Sequence, residues 1–373
     1  MRFIHTSDWQ LGKPFGRAPE EARAALQEAR LGAIDTLARA AQAHDAPLVL
    51  VAGDVFDSAE PGDRVYRQAL SRMRQAAGVK WVLLPGNHDP LRADGLWTRL
   101  KVETPPNVIA AIAAEPIALG EAAVLLPAPL THKRSLSDPT AWFDAAETPP
   151  GALRIGLAHG SVQAFGSDPD TNLLAPDRAR RAGLAYLALG DWHGRLRIDE
   201  RTHYSGTPEP DDFGREATGL ALLVDLAGPG APPQVTDLAI GRHHWIEADW
   251  SLSVAADLDA LTASLAPGRA LQDVVARLHV SGLVSLGDKV AVRRRLEDAL
   301  AHELRWLDLD LAGLVTRPTD TDLAEIDAFG DLRAAAERLN AMAAEGGSEG
   351  RLAAAALERL YVEHHRAQRP GEA

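Results

Sequence analysis

The sequence contains no cysteine. Disulfides, zinc knuckles and thiol nucleophiles are excluded together, and a cytoplasmic location is expected. No stretch approaches the ~18 consecutive apolar residues of a membrane helix, so no membrane partner is expected. The start, Met1-Arg2-Phe3-Ile4-His5, has no apolar region behind a basic segment, and a secretory signal is not expected. Basic residues are in deficit: 39 Lys and Arg face 52 Asp and Glu, a net charge of −13. The deficit runs the whole length, with 25 basic against 30 acidic residues up to position 244 and 14 against 22 beyond it. No part of the chain can grip a polyanion by bulk charge, so any such binding must be local or metal-assisted.

What is present is an ordinary globular composition. The 373 residues are 46% hydrophobic and 24% charged, enough to fill a sizeable core in two domains, or in one large domain with an appendage. In the first half, short apolar runs alternate with helical patterns. Pro47-Leu48-Val49-Leu50-Val51-Ala52 and Val79-Lys80-Trp81-Val82-Leu83-Leu84 read as buried strands, each stopped by a polar, glycine-containing turn. Before the first of these, Leu26, Ala29, Ala33, Leu37 and Ala40 mark one buried face of a helix. Two further runs, 154–158 and 184–189, again lead an apolar strand into a polar tip. Such alternation predicts a layered α/β core with its ligands at the carboxyl ends of the strands.

Near residue 228 the character changes. Gly228-Pro229-Gly230-Ala231-Pro232-Pro233 reads as a turn-rich connection. Beyond it, residues 245–331 read as a small α+β unit, with a strand over 274–280 and a helix over 288–306. The tail, 332–373, reads as two short helices around a flexible joint at 345–350.

Five polar tips carry metal-ligand chemistry: Ser7-Asp8-Trp9-Gln10, Gly53-Asp54-Val55-Phe56-Asp57, Gly86-Asn87-His88-Asp89, Ala158-His159-Gly160 and Gly190-Asp191-Trp192-His193. One aspartate after an apolar run is ordinarily a cap or turn former. Five tips in succession, each at the end of an expected strand, exceed what capping explains. The donors are oxygen and nitrogen without sulfur, which suits Mn²⁺, Fe²⁺ or Mg²⁺ and admits Zn²⁺. Asp54 is the natural bridging carboxylate, since one carboxylate spans two cations ~3.5–4 Å apart. Such a pair lowers the pKa of a shared water and neutralises a phosphate attacked in line.

In this order, the tips resemble the signature of calcineurin-like metallophosphoesterases over roughly residues 1–225. The loop Tyr204-Ser205-Gly206-Thr207-Pro208-Glu209-Pro210-Asp211-Asp212-Phe213-Gly214 and the opening His5-Thr6-Ser7-Asp8-Trp9-Gln10-Leu11-Gly12-Lys13 are similar to SbcD-type and YhaO-like DNA-repair exonuclease subunits. The resemblance implies an α/β fold, a metallophosphoesterase αββα sandwich over 1–244, followed by a small C-terminal α+β capping domain and a helical tail. It implies two divalent cations, with Mn²⁺ foremost. Asp8, Asp54 and His193 would hold one, with Gln10 beside them; Asp54, Asn87, His159 and Asp191 would hold the other. His88 would assist departure of the leaving oxygen, and Asp89 would orient its imidazole. Asp57 would fix the loop that bears Asp54.

Two positions depart from the family pattern. Gln10 stands where histidine is usual, and Asp191 stands where the first histidine of Gly-His-x-His is usual. An amide oxygen is the weaker ligand, so the first cation would bind loosely or only with substrate. A carboxylate at 191 shifts preference toward harder ions. Near the tips, Trp9 and Trp192 would stack on a base or wall the pocket, and Arg195 and Tyr204 are further candidates for substrate contact. The short basic runs His132-Lys133-Arg134 and Arg178-Ala179-Arg180-Arg181 read as solvated surface.

The expected reaction is metal-dependent phosphodiester hydrolysis in DNA. Small phosphodiesters, or DNA-end binding with little catalysis, are the alternatives. The expected partners are DNA, an SMC-like coiled-coil ATPase and a second copy in a homodimer. Residues 351–367, with Leu352, Leu357, Leu360 and Tyr361 on one face, would either dock the ATPase or pack on the cap.

Overall fold

The computed structural model describes residues 1–162 and 172–368, so the last residues of the expected tail, 369–373, lie outside it. Two compact units result, Met1–His244 and Trp245–Ala373.

In the first unit, β1 (Arg2–Thr6), β2 (Leu48–Val51), β3 (Lys80–Leu83) and β4 (Val108–Ala110) lie side by side and parallel. On its other edge β1 takes the strand Leu220–Asp225 antiparallel, and that strand takes Gln234–Ala239. The turn-rich segment 228–233 thus closes a hairpin inside this sheet and does not separate units. A second sheet holds β5 (Ile117–Ala118), β6 (Ala123–Ala128), β7 (Leu153–His159), Tyr186–Gly190, Thr202–Tyr204 and Leu196–Arg197, in that spatial order.

All four residues of β2 are buried, because both faces of its sheet are covered. Leu48 and Leu50 pack with Leu125, Ile155, Leu157 and Tyr186 of the second sheet. Val49 and Val51 pack with Ile34 and Leu37 of α1 (Glu20–Ala43) and with Tyr66 and Met73 of α2 (Asp63–Gln75). The outer face of the second sheet, with Leu126, Leu187 and Leu189, is covered by Phe143, Ala179 and Leu184. The layering is αββα, as expected. Truncating one of these leucines to alanine costs about 2–5 kcal/mol.

Parallel strands end on the same edge. Asp8 follows β1, Asp54 follows β2, Asn87 and His88 follow β3, His159 closes β7, and Asp191 follows Tyr186–Gly190.

In the second unit, a three-stranded sheet orders His244–Leu252, Val274–Val284 and Trp306–Thr316, with the last two parallel. Residues 286–303 are helical. The expected helix end at Trp306 is corrected, because Trp306 opens a strand and pairs with Val275. The tail forms two helices, Asp331–Glu345 and Gly347–Ala367, and the expected joint shrinks to Gly346 at φ +74°. Leu357 and Tyr361 are buried against Leu286, Leu323 and Ile326, so that face is covered within the unit. Leu352 is 73% exposed. No helix among the described residues is long and apolar enough to cross a membrane.

Candidate metal centre

The strand tips converge. One oxygen each of Asp8 and Asp54 and one nitrogen of His159 all lie within 4.8 Å of one another, and all three residues are buried. His159 Nε2 is 3.5 Å from Asp54 Oδ1, 3.7 Å from Asp191 Oδ1 and 3.3 Å from Asn87 Oδ1. Its other nitrogen, Nδ1, donates to the carbonyl of Ala52 at 2.8 Å, which fixes the ring and leaves Nε2 toward the carboxylates. The neighbouring chain must be glycine: a Cβ at Gly53, which has φ +89°, would fall 2.2 Å from His159 Nδ1.

The backbone is strained at these tips. Asp8 (φ +54°), Gln10 (φ +41°), Asp54 (φ +52°) and Asp191 (φ +107°) are all left-handed, a conformation that non-glycine residues hold only where the surroundings impose it. Hydrogen bonds impose it here. Asp8 N donates to Gly53 O at 3.1 Å, and Gln10 N donates to Asp54 O at 2.8 Å. The Asp8 carboxylate accepts from Ser7 Oγ at 2.5 Å and from Asp191 N at 3.2 Å. Asp191 Oδ2 accepts from Ser161 Oγ at 2.8 Å.

Electrostatically the place calls for a cation. Burial raises the Asp8 carboxyl above the usual range, and the charge of Asp54 adds to this. Burial alone would lower His159, but Asp54, Asp8 and Asp191 together raise it to about 9. Three carboxylates, an amide oxygen and one imidazole nitrogen form a donor set that fits a hard or borderline divalent ion.

The remaining sequence-expected residues divide. His88 is half-buried; its main-chain N–H donates to Asp54 Oδ1 at 2.9 Å, and its Nδ1 lies 3.0 Å from the Asp57 carbonyl. That carbonyl, and not Asp89, orients the imidazole. The correction has a physical cause: the buried Asp89 carboxylate accepts from Phe56 N (3.0 Å) and Gly86 N (2.8 Å), and so clamps two loops. Trp9 walls the core, 2% exposed, donating to Thr6 Oγ1 and meeting Trp81 edge-on. Tyr204 is likewise no surface for a base. It is 1% exposed, and its hydroxyl ties Val162 N (2.9 Å) to Gly160 O (2.8 Å) beside His159. Trp192 is 44% exposed. Arg195 is paired with Asp237 at 2.9 Å. Arg178 was expected on solvated surface but is buried, held by Asp138 and Asp144 at 2.7 Å each.

Sequence reasoning missed the parts played by Arg30, Asp211 and Lys13. Arg30 is 2% exposed and donates to the carbonyls of Trp9 (2.7 Å), Asp8 (3.0 Å) and Glu209 (3.0 Å). Its position, four residues after Leu26 on the buried helical stripe, was the available signal. Asp211, inside the singled-out 204–214 loop, accepts from His193 Nδ1 at 3.1 Å and from Lys13 Nζ at 2.5 Å. Burial would raise the Asp211 carboxyl, yet the His193 hydrogen bond and the charges of Arg30 and Lys13 hold it far below the usual range.

The fold and this constellation define a phosphoesterase. Residues 1–194 match the calcineurin-like phosphoesterase family, and the chain belongs to that family of hydrolases acting on phosphoester bonds, whose members bind divalent metals. Among curated proteins, it is similar to the SbcD subunit of nuclease SbcCD from Rhodobacter capsulatus, 27% identical over 287 residues, 63% of this chain and 69% of that protein. It is 37% identical to the corresponding SbcCD nuclease subunit of Escherichia coli K12 over 92 residues, 24% of this chain. It is also 27% identical over 208 residues, 52% of this chain, to the uncharacterized metallophosphoesterase YhaO of Bacillus subtilis. The chain spans only 21% of the Escherichia coli protein's length and 49% of YhaO.

Proposed function

We propose that this protein hydrolyses phosphodiester bonds in DNA, with Asp8, Asp54, Asn87, His159 and Asp191 holding a divalent cation, Mn²⁺ foremost. The observation that carries the reading is the convergence of Asp8, Asp54 and His159 within 4.8 Å at one edge of the sandwich. A cation held there supplies positive charge at the scissile phosphate and activates water.

The chain's own residues do the rest. Asp54 does two jobs: Oδ1 accepts the His88 main-chain N–H, so the loop bearing His88 is registered on the cation-binding carboxylate. With the Asp57 carbonyl at Nδ1, Nε2 is the atom of His88 that faces a substrate, placed to give a proton to the leaving oxygen. Trp192, next in sequence to Asp191 and 44% exposed, offers a face on which a base can stack. The acidity of the chain is met locally, since the cation carries the positive charge that the surface lacks.

The SbcCD relatives are named as one subunit of a larger nuclease, and an SMC-like coiled-coil ATPase is the partner we propose here. The helices Asp331–Glu345 and Gly347–Ala367 support this with Leu332, Met342 and Leu352 exposed at 43%, 38% and 73%.

The test is hydrolysis with Mn²⁺ of end-labelled duplex and single-stranded DNA, beside cyclic nucleotides. Shortening of DNA is expected. Cleavage of cyclic nucleotides alone moves the assignment to small phosphodiesters.

A further inference from the structure

Lys13 and Gln10 are polar side chains at the centre that the proposed chemistry does not use. Gln10 is 2% exposed, and its amide is held one way round. The Lys13 ammonium, seated on Asp211 Oδ2 at 2.5 Å, donates to Gln10 Oε1 at 3.3 Å. An ammonium has three donors and no acceptor, so the amide oxygen must face it. Turned over, the amide would set its NH₂ against an NH₃⁺. With the oxygen engaged, Nε2 points inward, 3.2 Å from His193 Nε2 and 3.5 Å from Asp54 Oδ2. His193 is prepared to accept, because its Nδ1–H is spent on Asp211 at 3.1 Å.

Two of the atoms to which the family resemblance gives a first cation, Asp54 Oδ2 and His193 Nε2, therefore face the NH₂ of Gln10. On the opposite side the balance is reversed. Asp8, Asp54 and Asp191 bring three carboxylates toward His159, two of them within 3.7 Å of Nε2.

We propose that Lys13 locks Gln10 as a hydrogen-bond donor to Asp54 and His193, so that this centre takes a single divalent cation, on the His159 side. The inference rests on the reading of Asp8, Asp54 and His159 as a cation site. Gln10 then acts as a positioning residue, taking the place of a second ion.

The experiment is Mn²⁺ uptake by the full chain, measured by equilibrium dialysis with electron paramagnetic resonance of the bound ion. The wild-type chain is expected to take one Mn²⁺ with the hyperfine pattern of an isolated ion. Gln10→His is expected to take two, spin-coupled. Lys13→Met frees the amide to turn its oxygen inward and is expected to take a second, spin-coupled ion. That variant carries the test by itself if Gln10→His does not fold. A wild-type chain that takes two coupled ions overturns the proposal, as does a Lys13→Met chain, or a folded Gln10→His chain, that still takes one. A wild-type chain that takes none removes the underlying cation site and this proposal with it, a result distinct from the uptake of two.

Discussion

Arg30 reaches from the middle of α1 to the main-chain oxygen of Asp8, 3.0 Å away, and to that of Trp9, 2.7 Å away. A guanidinium this buried is stable only when its donors are satisfied. Glu209 O (3.0 Å) and Thr207 Oγ1 (3.3 Å) take two more. One side chain thereby ties the left-handed tip of β1 to the 204–214 loop. Arg30→Met removes the donor at Trp9 O and leaves Asp8 O and Glu209 O to share the one hydroxyl hydrogen of Thr207, so two buried carbonyls go unpaired at about 1–3 kcal/mol each. Denaturant unfolding is expected to show a loss of about 3 kcal/mol or more, and a loss below about 1 kcal/mol would contradict the assignment.

Gly53 tests how tightly His159 is held. A Cβ there meets His159 Nδ1 at 2.2 Å and would have to sit at φ +89°. Gly53→Ala is expected to displace the imidazole, weakening Mn²⁺ uptake by about 10-fold or more. Melting should also fall, by an amount corresponding to about 1–3 kcal/mol. Unchanged uptake would mean that His159 does not hold the ion.

Trp192 and Tyr204 make a contrasting pair. Trp192→Ala is expected to raise KM for DNA about 10-fold, since stacking on one base contributes about 1–3 kcal/mol, and to leave stability unchanged. Tyr204→Phe removes the hydroxyl between Val162 N and Gly160 O. It is expected to cost about 1 kcal/mol of stability with KM unmoved. Steady-state kinetics and thermal melts on both variants separate substrate contact from loop support.

His5 gives the protein an acid-sensitive term. It is fully buried between the Tyr186 hydroxyl (3.0 Å at Nδ1) and the Leu189 carbonyl (3.1 Å at Nε2). Burial first, and then the nearby His203, lower its pKa to about 3. Between that value and the ordinary 6.5 the unfolded chain binds more protons than the folded one. The contribution is therefore complete above pH 6.5 and is lost as pH falls toward 3, at up to about 1.4 kcal/mol per pH unit. In His5→Gln, the stability curve from urea titrations is expected to be flatter over this window. An equally steep curve would contradict the assignment.

The strand tips were legible because apolar runs such as 47–52 and 79–84 leave no reading but a buried strand, and the chemistry-bearing residues follow them directly. Less legible were contacts that pass through main-chain atoms. The Asp57 carbonyl orients His88, and any residue type at 57 supplies a carbonyl, so the sequence pointed to the neighbouring Asp89 instead. Arg30 lies 22 residues from Asp8 and 179 from Glu209, and Lys13 lies 198 from Asp211, so only the folded loops bring these partners together. In the second unit, the helical pattern expected to reach Trp306 stops at Glu303, because pairing with Val275 draws Trp306 into a sheet. Tertiary pairing overrode local pattern there.

Asp8, Asp54 and His159 are proposed to form a centre that cleaves phosphodiesters. This proposal is tested most directly by release of p-nitrophenol from bis-p-nitrophenyl phosphate, with Mn²⁺ present, by the wild-type chain, Asp54→Ala and His88→Ala. Mn²⁺-dependent release is expected from the wild type and none above background from Asp54→Ala, while His88→Ala is expected to lose far less on this ester than on DNA, because p-nitrophenolate departs with little need of a proton. Release that persists undiminished in Asp54→Ala would contradict the proposal.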